Sequence, residues 1–192
     1  MNPPIIFLQS RRLLLRPLQE QDFNCRYLSW LNDPVVNAFS QRRPFPCSLQ
    51  QMRSYSEYYE KNYEKGFVLA IIMAETDEHI GNISLLDIHF INRTADIAIL
   101  IGERDYWNKG IGGEAIYLLS RHGFEAMNLN KLIAGTFNPA FSECVKKIGW
   151  KVEGVFRQRI WSNNTYRDQI WLSQLRSEFQ ILDRFEKTEG ID

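Results

Sequence analysis

The sequence predicts one domain of the α/β class, in detail an α+β fold with a mixed, mostly antiparallel central sheet flanked by helices. Three observations support this fold class. The 192 residues suffice for one substantial core and are few for two. Apolar, β-branched runs alternate with segments of helical periodicity, and the sequence contains no internal repeat. We expect an N-terminal arm at 1–12, a domain at 13–176 and a C-terminal tail at 177–192.

The first part of the chain predicts one strand followed by two helices. The strand covers 13–16, and the first helix covers 21–32, ending where a proline soon follows. The second helix begins after Ser48, which forms a capping-box pattern with Gln51, and it runs towards Lys65. A glycine then stops it.

Three strands are predicted next, and together they form an antiparallel meander. Their apolar, β-branched sequences are separated by short polar turns. The predicted strands are 67–74, 80–90 and 95–101.

The remainder of the chain predicts a helix, a strand, a short helix and a hairpin. A polar N-cap followed by proline marks the start of the short helix, and asparagines tolerate the left-handed turn of the hairpin. The predicted elements are a helix from 112 to 127, a strand at 131–137, a short helix after Asn138-Pro139, hairpin strands at 152–161 and 166–175 around Asn163-Asn164, and a helical tail beyond Ser177.

The segment 106–115, with the sequence YWNKGIGGEA, places closely spaced glycines and one lysine where a strand passes into a helix. Glycines lack a Cβ atom, so successive backbone N–H groups can turn inward against an anion. The N-terminus of the helix adds its positive dipole end. This arrangement predicts a binding site for a pyrophosphate group.

Two other phosphate-binding loops fit this segment poorly. An NTPase loop continues Gly-Lys-Ser/Thr, whereas Gly112 is followed here by Gly113 and Glu114. The spacing Gly110-x-Gly112-x-x-Ala115 does match the dinucleotide fingerprint. That fingerprint follows directly on a strand and expects an acid at the end of the next one, and neither condition is met here. An NAD-dependent oxidoreductase is therefore disfavoured.

The glycine loop resembles the pyrophosphate loop of the GNAT acetyltransferase superfamily, and the resemblance extends over nearly the whole chain. The family pattern is Gln/Arg-x-x-Gly-x-Gly/Ala; Gly110 and Gly112 occupy its small positions, and Trp107 stands where Gln or Arg is usual. The segments 12–18, RLLLRPL, and 138–150, NPAFSECVKKIGW, resemble two further blocks of the branch that contains ribosomal-protein alanine and spermidine acetyltransferases.

The resemblance implies an acetyl-CoA-dependent N-acetyltransferase whose central strands, 95–101 and 131–137, splay apart around the pantetheine arm. Acetyl-CoA is expected as the cosubstrate, and no metal site is expected. Backbone N–H groups near the end of the first of these strands are expected to stabilise the oxyanion. The residues expected to contact the cofactor are Leu100, Ile101, Gly102, Asn108, Lys109, Gly110, Ile111, Gly112, Gly113 and Asn138.

Two side chains are candidates for the proton transfers. An amine acceptor is mostly an ammonium ion at neutral pH, so a base must remove a proton, and Asp96 resembles in position an acid that some family members use. Alternatively, Asp96 caps the turn before it. Val145 stands where many members carry a general-acid tyrosine, so Ser142 is the candidate donor to the leaving thiolate. Loss of that tyrosine leaves a non-catalytic acyl-CoA sensor as an alternative, and a spermidine-type polyamine acetyltransferase is the other alternative.

The charge of the chain restricts its partners. Twenty-three basic residues balance twenty-three acidic ones, so no net field attracts nucleic acid or a membrane. No apolar stretch approaches the roughly 18 residues of a membrane span, and no signal peptide is evident, so we expect a cytoplasmic protein. We expect an amine-bearing small molecule or a protein N-terminus as acceptor, with a homodimer as a candidate assembly.

The candidate cleft segments carry more arginines than acids. Arginines suit phosphate groups, and several carboxylates suit a polyamine. The sequence therefore predicts a protein N-terminus or a phosphate-bearing amino sugar as preferred acceptor, and polyamines as poor ones. The acids are Asp33 and Asp87, and the arginines are Arg42, Arg43, Arg157, Arg159 and Arg167.

Overall fold

The computed structural model of the chain describes residues 5–187 and contains one eight-stranded sheet with the order β1-β2-β3-β4-β5-β6-β8-β7. The strands are β1 (Leu8–Gln9), β2 (Leu13–Pro17), β3 (Gly66–Met73), β4 (Glu78–His89), β5 (Thr94–Ile101), β6 (Lys131–Thr136), β7 (Lys151–Ser162) and β8 (Thr165–Leu175). The helices are α1 (Cys25–Asn32), α2 (Leu49–Lys61), α3 (Ile111–Glu125) and α4 (Pro139–Lys146). The predicted α/β fold and its meander are confirmed.

The sheet opens between its two central strands. Every neighbouring pair is antiparallel except β5 and β6, which are parallel because α3 crosses over between them. These two strands pair only where Thr94–Asp96 lies beside Lys131–Ile133. Beyond Asp96 and Ile133 the strands separate, and the glycine loop lies at the far end of β5. The sheet therefore contains the splay that the resemblance implies.

The two faces of the sheet carry different layers. The main core lies between the sheet and α3, which is buried on most sides because its sequence is largely apolar. The opposite face carries α1 and α2, whose Tyr27, Trp30 and Met52 form a second buried cluster with Leu100 of β5 at its edge. None of the helices in residues 5–187 combines the length and the apolar character needed to cross a membrane.

Three predicted helices are corrected. The helix expected at 21–32 is divided into a 3₁₀ turn at Glu20–Asp22 and helix α1, because the Asn24 side chain caps the N–H groups of Arg26 and Tyr27. Helix α2 ends at Lys61 rather than near Lys65.

The tail is the third correction, because residues 177–187 form no α-helix beyond a 3₁₀ turn at Arg176–Glu178. Its aromatic residues pack irregularly on α3 instead. Phe179 stacks on Tyr117 with ring centroids 5.4 Å apart, and Phe185 is buried in the main core. Residues 188–192 of the predicted helical tail lie outside the described residues.

Candidate active site

Asp96 lies at the point where β5 and β6 begin to separate. Side chains alternate between the faces of a strand, and Ala95 and Ile97 belong to the main core. Asp96 therefore points to the opposite face, the one that carries α1 and α2. Its carboxylate makes no hydrogen bond to the described residues, so the structure offers no support for a turn-capping role.

Burial raises the pKa of Asp96 to about 7, with a further contribution from the negative charge of Asp87. Asp87 faces the same side as a result of a β-bulge. Two residues of β4, Asp87 and Ile88, lie opposite Ala95 alone, and Asp87 adopts a φ of 49°. Ile88 packs against the main core, while Asp87 lines a cavity of about 300 Å³ with Tyr58 and Tyr59 of α2.

The backbone of β5 presents alternate residues to the opening. The N–H of Gly102 donates to the carbonyl of Ile80 at 2.9 Å, so the backbone N–H of Gly102 points towards β4. Because antiparallel hydrogen bonding alternates along the strand, Leu100 faces β4 as well, opposite Asn82. The N–H groups of Ile99 and Ile101 point the other way, towards the splay.

This geometry corrects the expected orientation of two backbone donors. The N–H groups of Leu100 and Gly102 are directed to β4 rather than to the splay. The glycine at 102 has a packing role instead, since a Cβ atom there would lie 2.0 Å from the ring of Trp30. The N–H group of Ile101, by contrast, points towards the splay, as expected.

The glycine loop has the backbone shape that an anion site needs. Asn108 and Gly110 adopt left-handed conformations, with φ of 59° and 76°, and Gly110 is the N-cap of α3. Lys109 is exposed, with Nζ 5.7 Å from the centre of the Tyr106 ring. Trp107, at the unusual position of the motif, donates from Nε1 to the carbonyl of Ile101 at 2.8 Å and so ties the loop to the end of β5.

The first turn of α3 leaves room for a ligand. A Cβ atom built on Gly112 would meet only the Ile99 side chain, at 4.0 Å, so no packing contact demands a glycine there. At Gly113 a Cβ atom would lie 3.1 Å from Sγ of Cys144, which fixes the spacing of α3 and α4. The residues of the loop therefore fit a pyrophosphate held by backbone N–H groups at a helix N-terminus.

Helix α4 contains Ser142, and Asn138 is its N-cap. Ser142 is 3 % exposed, and its buried hydroxyl group has no hydrogen-bond partner among the described residues. Val145 is fully buried in the main core, so the position of the usual tyrosine carries only an apolar packing residue. Asn138 uses Oδ1 to cap the N–H of Ala140 at 2.9 Å. That contact leaves its amide Nδ2 for a ligand.

Two of the charged residues predicted to select the acceptor, Asp33 and Arg43, are engaged in other contacts. Asp33 caps the N–H groups of Val35 and Val36 and pairs with Arg104. Arg43 donates to the carbonyls of Ser40 and Trp161. The three hairpin arginines, Arg157, Arg159 and Arg167, are exposed. Asp87 is the predicted acceptor-side residue that lies near Asp96.

Sequence reasoning missed the contact between Arg12 and Glu114. Glu114 is completely buried at the start of α3, and Arg12 pairs with it at 2.7 Å. The two residues are 102 positions apart, and no local pattern in the sequence connects them. Only the charge of Glu114 inside an apolar helix signals that a partner must exist.

Comparisons with known proteins identify the family of this chain and several of its relatives. The model of the Acetyltransferase (GNAT) domain family matches residues 12–151. The chain is 29% identical over 160 residues to spermidine N(1)-acetyltransferase of Escherichia coli strain K12, covering 81% of this chain and 82% of that protein. It is 27% identical over 165 residues to the uncharacterized N-acetyltransferase YoaA of Bacillus subtilis, covering 84% and 92%.

A solved structure shows the same fold. The crystal structure of spermidine N-acetyltransferase from Vibrio cholerae in complex with CoA and spermine superimposes with a TM-score of 0.78 at 21% sequence identity, over 87% of this chain and 97% of that one. Its likeness shows that the two chains share the same overall arrangement of strands and helices. Because the family model covers most of the chain, the protein belongs to the GNAT acetyltransferases and uses acetyl-CoA.

Proposed function

We propose that the protein transfers the acetyl group of acetyl-CoA to a primary amine by direct attack of the amine on the thioester, with Asp96 as the general base. The observation that carries this proposal is the position of Asp96. It is the carboxylate at the apex of the splay, it lacks a hydrogen-bond partner among the described residues, and its pKa is raised to about 7. Such a base accepts a proton from an ammonium group near neutral pH.

The chain supplies a group for each step of the transfer. Asp96 takes one proton from the acceptor ammonium, either directly or through a water, which frees the nitrogen lone pair. The nitrogen then forms a bond to the thioester carbonyl carbon, and the N–H groups of Ile99 and Ile101 face the region where the oxygen gains negative charge. When the C–S bond breaks, the nitrogen loses its second proton and the departing sulfur gains one; Ser142 donates a hydrogen bond to the sulfur or relays this proton, receiving one as it gives one.

The cofactor lies along the splay in this proposal. Its pyrophosphate is held by the N–H groups of the glycine loop and the first turn of α3, with Lys109 supplying positive charge nearby. The free amide nitrogen of Asn138, at the start of α4, donates a hydrogen bond to the pantetheine arm. Among the described residues, the backbone N–H groups of 108–110 donate to no other backbone carbonyl.

Two acceptor classes follow from different residues. The exposed arginines of the hairpin suit a protein N-terminus or a phosphate-bearing amino sugar, which is the preference that the sequence predicts. The pair Asp87 and Asp96 instead gives the immediate surroundings of the base a negative charge, which suits a cationic amine such as a polyamine. Spermidine acetyltransferases among the relatives support this second class.

A thiol-release assay with acetyl-CoA tests the function and separates the acceptor classes. The panel contains spermidine, simple amino sugars, nucleotide amino sugars and peptides with a free N-terminus, each at several concentrations. Release of CoA in step with acetylated amine supports the enzyme. Binding of acetyl-CoA with no turnover on any acceptor would favour the sensor. Turnover of spermidine alone would contradict the preference drawn from the arginines and leave the reaction itself intact.

A further inference from the structure

We propose that Arg12 is a positioning residue for the CoA pyrophosphate, because its guanidinium group fixes the direction of the N–H groups in the glycine loop. The inference rests on the proposed binding of the pyrophosphate by that loop. It assigns to the β1–β2 turn, which lies far from the splay in the order of strands, a part in cofactor affinity.

The anchor of this arrangement is the buried carboxylate of Glu114. Ser10 donates to it from Oγ at 2.8 Å, the backbone N–H of Arg12 donates at 2.9 Å, and Nε of Arg12 donates at 2.7 Å. Nη2 of Arg12 is also 2.7 Å from this carboxylate. A carboxylate with no exposure is tolerated when its oxygens are satisfied in this way. The contacts fix the orientation of the guanidinium group, because they engage two of its three nitrogens.

The third nitrogen reaches the glycine loop. Nη1 of Arg12 donates to the carbonyl oxygen of Lys109 at 3.0 Å. That carbonyl belongs to the same peptide unit as the N–H of Gly110, and the described residues contain no cis peptide bond. In a trans peptide the C=O and N–H groups point in opposite directions. Arg12 therefore directs the Gly110 N–H away from the β1–β2 turn.

The loop is held from both ends. Trp107 ties its beginning to the carbonyl of Ile101, and Arg12 ties its end to buried Glu114. Asn108 lies between these anchors and Gly110 directly follows the second, and their left-handed conformations turn successive N–H groups to one side. A loop fixed in this shape before the cofactor arrives loses less conformational entropy on binding.

A lysine at position 12 separates this role from a simple contribution of charge. Lysine retains the positive charge and can pair with Glu114, but it lacks the planar fork that reaches Glu114 and the Lys109 carbonyl together. For Arg12→Lys we expect a Kd for CoA that is about tenfold higher by calorimetry, with a matching rise in the KM for acetyl-CoA. The kcat at saturating acetyl-CoA and the acid limb of the pH profile should stay unchanged. Arg11→Lys is the matched control, since Arg11 is an exposed neighbour.

A second variant guards against loss of folding. Arg12→Met combined with Glu114→Gln removes both charges, so no buried carboxylate is left without a partner. Circular dichroism should show a folded protein, and the Kd for CoA should again be about tenfold higher. The inference is overturned if folded Arg12→Lys binds CoA like the wild type, or if it loses kcat at an unchanged Kd. Failure of the wild-type protein to bind CoA would overturn the loop assignment itself, and this inference with it.

Discussion

At the scale of single residues, the chemistry depends on where one carboxylate is placed. Asp96 occupies a position on β5 that removes it from water and sets it beside Asp87, and both effects oppose its ionisation. Its pKa of about 7 is therefore a consequence of the fold. A free aspartate would be ionised at that pH and would be a weaker base.

The first prediction concerns this carboxylate. Asp96→Asn should lower kcat by roughly 10²-fold or more, because the amide accepts no proton, and should change the Kd for acetyl-CoA little. In the wild type, activity should rise as the pH increases through about 7, since only the ionised carboxylate acts as a base. A pH–rate profile measures both effects. If the variant had the same rate as the wild type and the same acid limb in its pH–rate profile, Asp96 would have no catalytic role.

Asp87→Asn provides a matched comparison at the neighbouring carboxylate. Removing its negative charge should lower the pKa of Asp96, so the acid limb of the profile should move to lower pH. The plateau of activity should remain, apart from any loss of acceptor affinity. A limb that stays in place would show that burial alone sets the pKa of Asp96.

The second prediction concerns Ser142, whose hydroxyl group is buried without a partner among the described residues. Ser142→Ala removes an unsatisfied polar group, so the free energy of unfolding should stay equal or rise by about 1 kcal/mol. If the hydroxyl group assists the leaving thiolate, kcat should fall about tenfold at unchanged KM values. Denaturant unfolding and steady-state kinetics measure the two effects separately. An unaltered kcat would make Ser142 a packing residue of α4.

At the scale of elements, the N-terminus of α3 is the feature that the sequence predicted best. The glycine pattern gave the junction of strand and helix, and the structure places the helix start at Ile111, next to the predicted Gly112. The β4 bulge was not predictable in the same way. It depends on the pairing of β4 with β5, and it alone turns Asp87 to the face of Asp96.

The third prediction uses two substitutions at Gly112. A Cβ atom fits there, so Gly112→Ala should fold and bind CoA within a few-fold of the wild type. Gly112→Asp should fold as well, but its negative charge lies beside the phosphates, and CoA affinity should fall by more than tenfold, about 1.4 kcal/mol. Calorimetry on both variants measures the difference. Equal affinities would place the pyrophosphate elsewhere.

At the scale of the whole molecule, the splay divides the sheet into two parts that share only a short pairing between β5 and β6. In the proposed binding mode, the cofactor lies in the opening, contacts both parts of the sheet and binds only the folded chain. The cofactor should therefore stabilise the whole domain rather than one loop.

The fourth prediction follows from this linkage. CoA at 100 times its Kd should add about 2.7 kcal/mol to the free energy of unfolding. For a domain of this size that corresponds to an increase in Tm of roughly 5–10 °C. Thermal unfolding followed by circular dichroism should show this shift for the wild type and about half of it or less for Gly112→Asp at the same CoA concentration. An equal shift in both proteins would contradict the assignment of the loop.

The sequence by itself determined the order of strands and helices from β2 to β8, the glycine loop and the family. These features are local: periodicity, turn residues and the spacing of glycines act over a few residues. It also selected Asp96, because a resemblance carries the position of a residue along the chain.

Only the tertiary structure decided the features that depend on distant pairs. The register of β4 and β5 directs the N–H groups of Leu100 and Gly102 away from the splay, and burial raises the pKa of Asp96. The contact of Arg12 with Glu114 joins residues 102 positions apart. The tail packs on α3 through its aromatic residues instead of forming a helix. Each of these outcomes depends on contacts between segments that are distant in the sequence. Local sequence patterns do not specify those contacts.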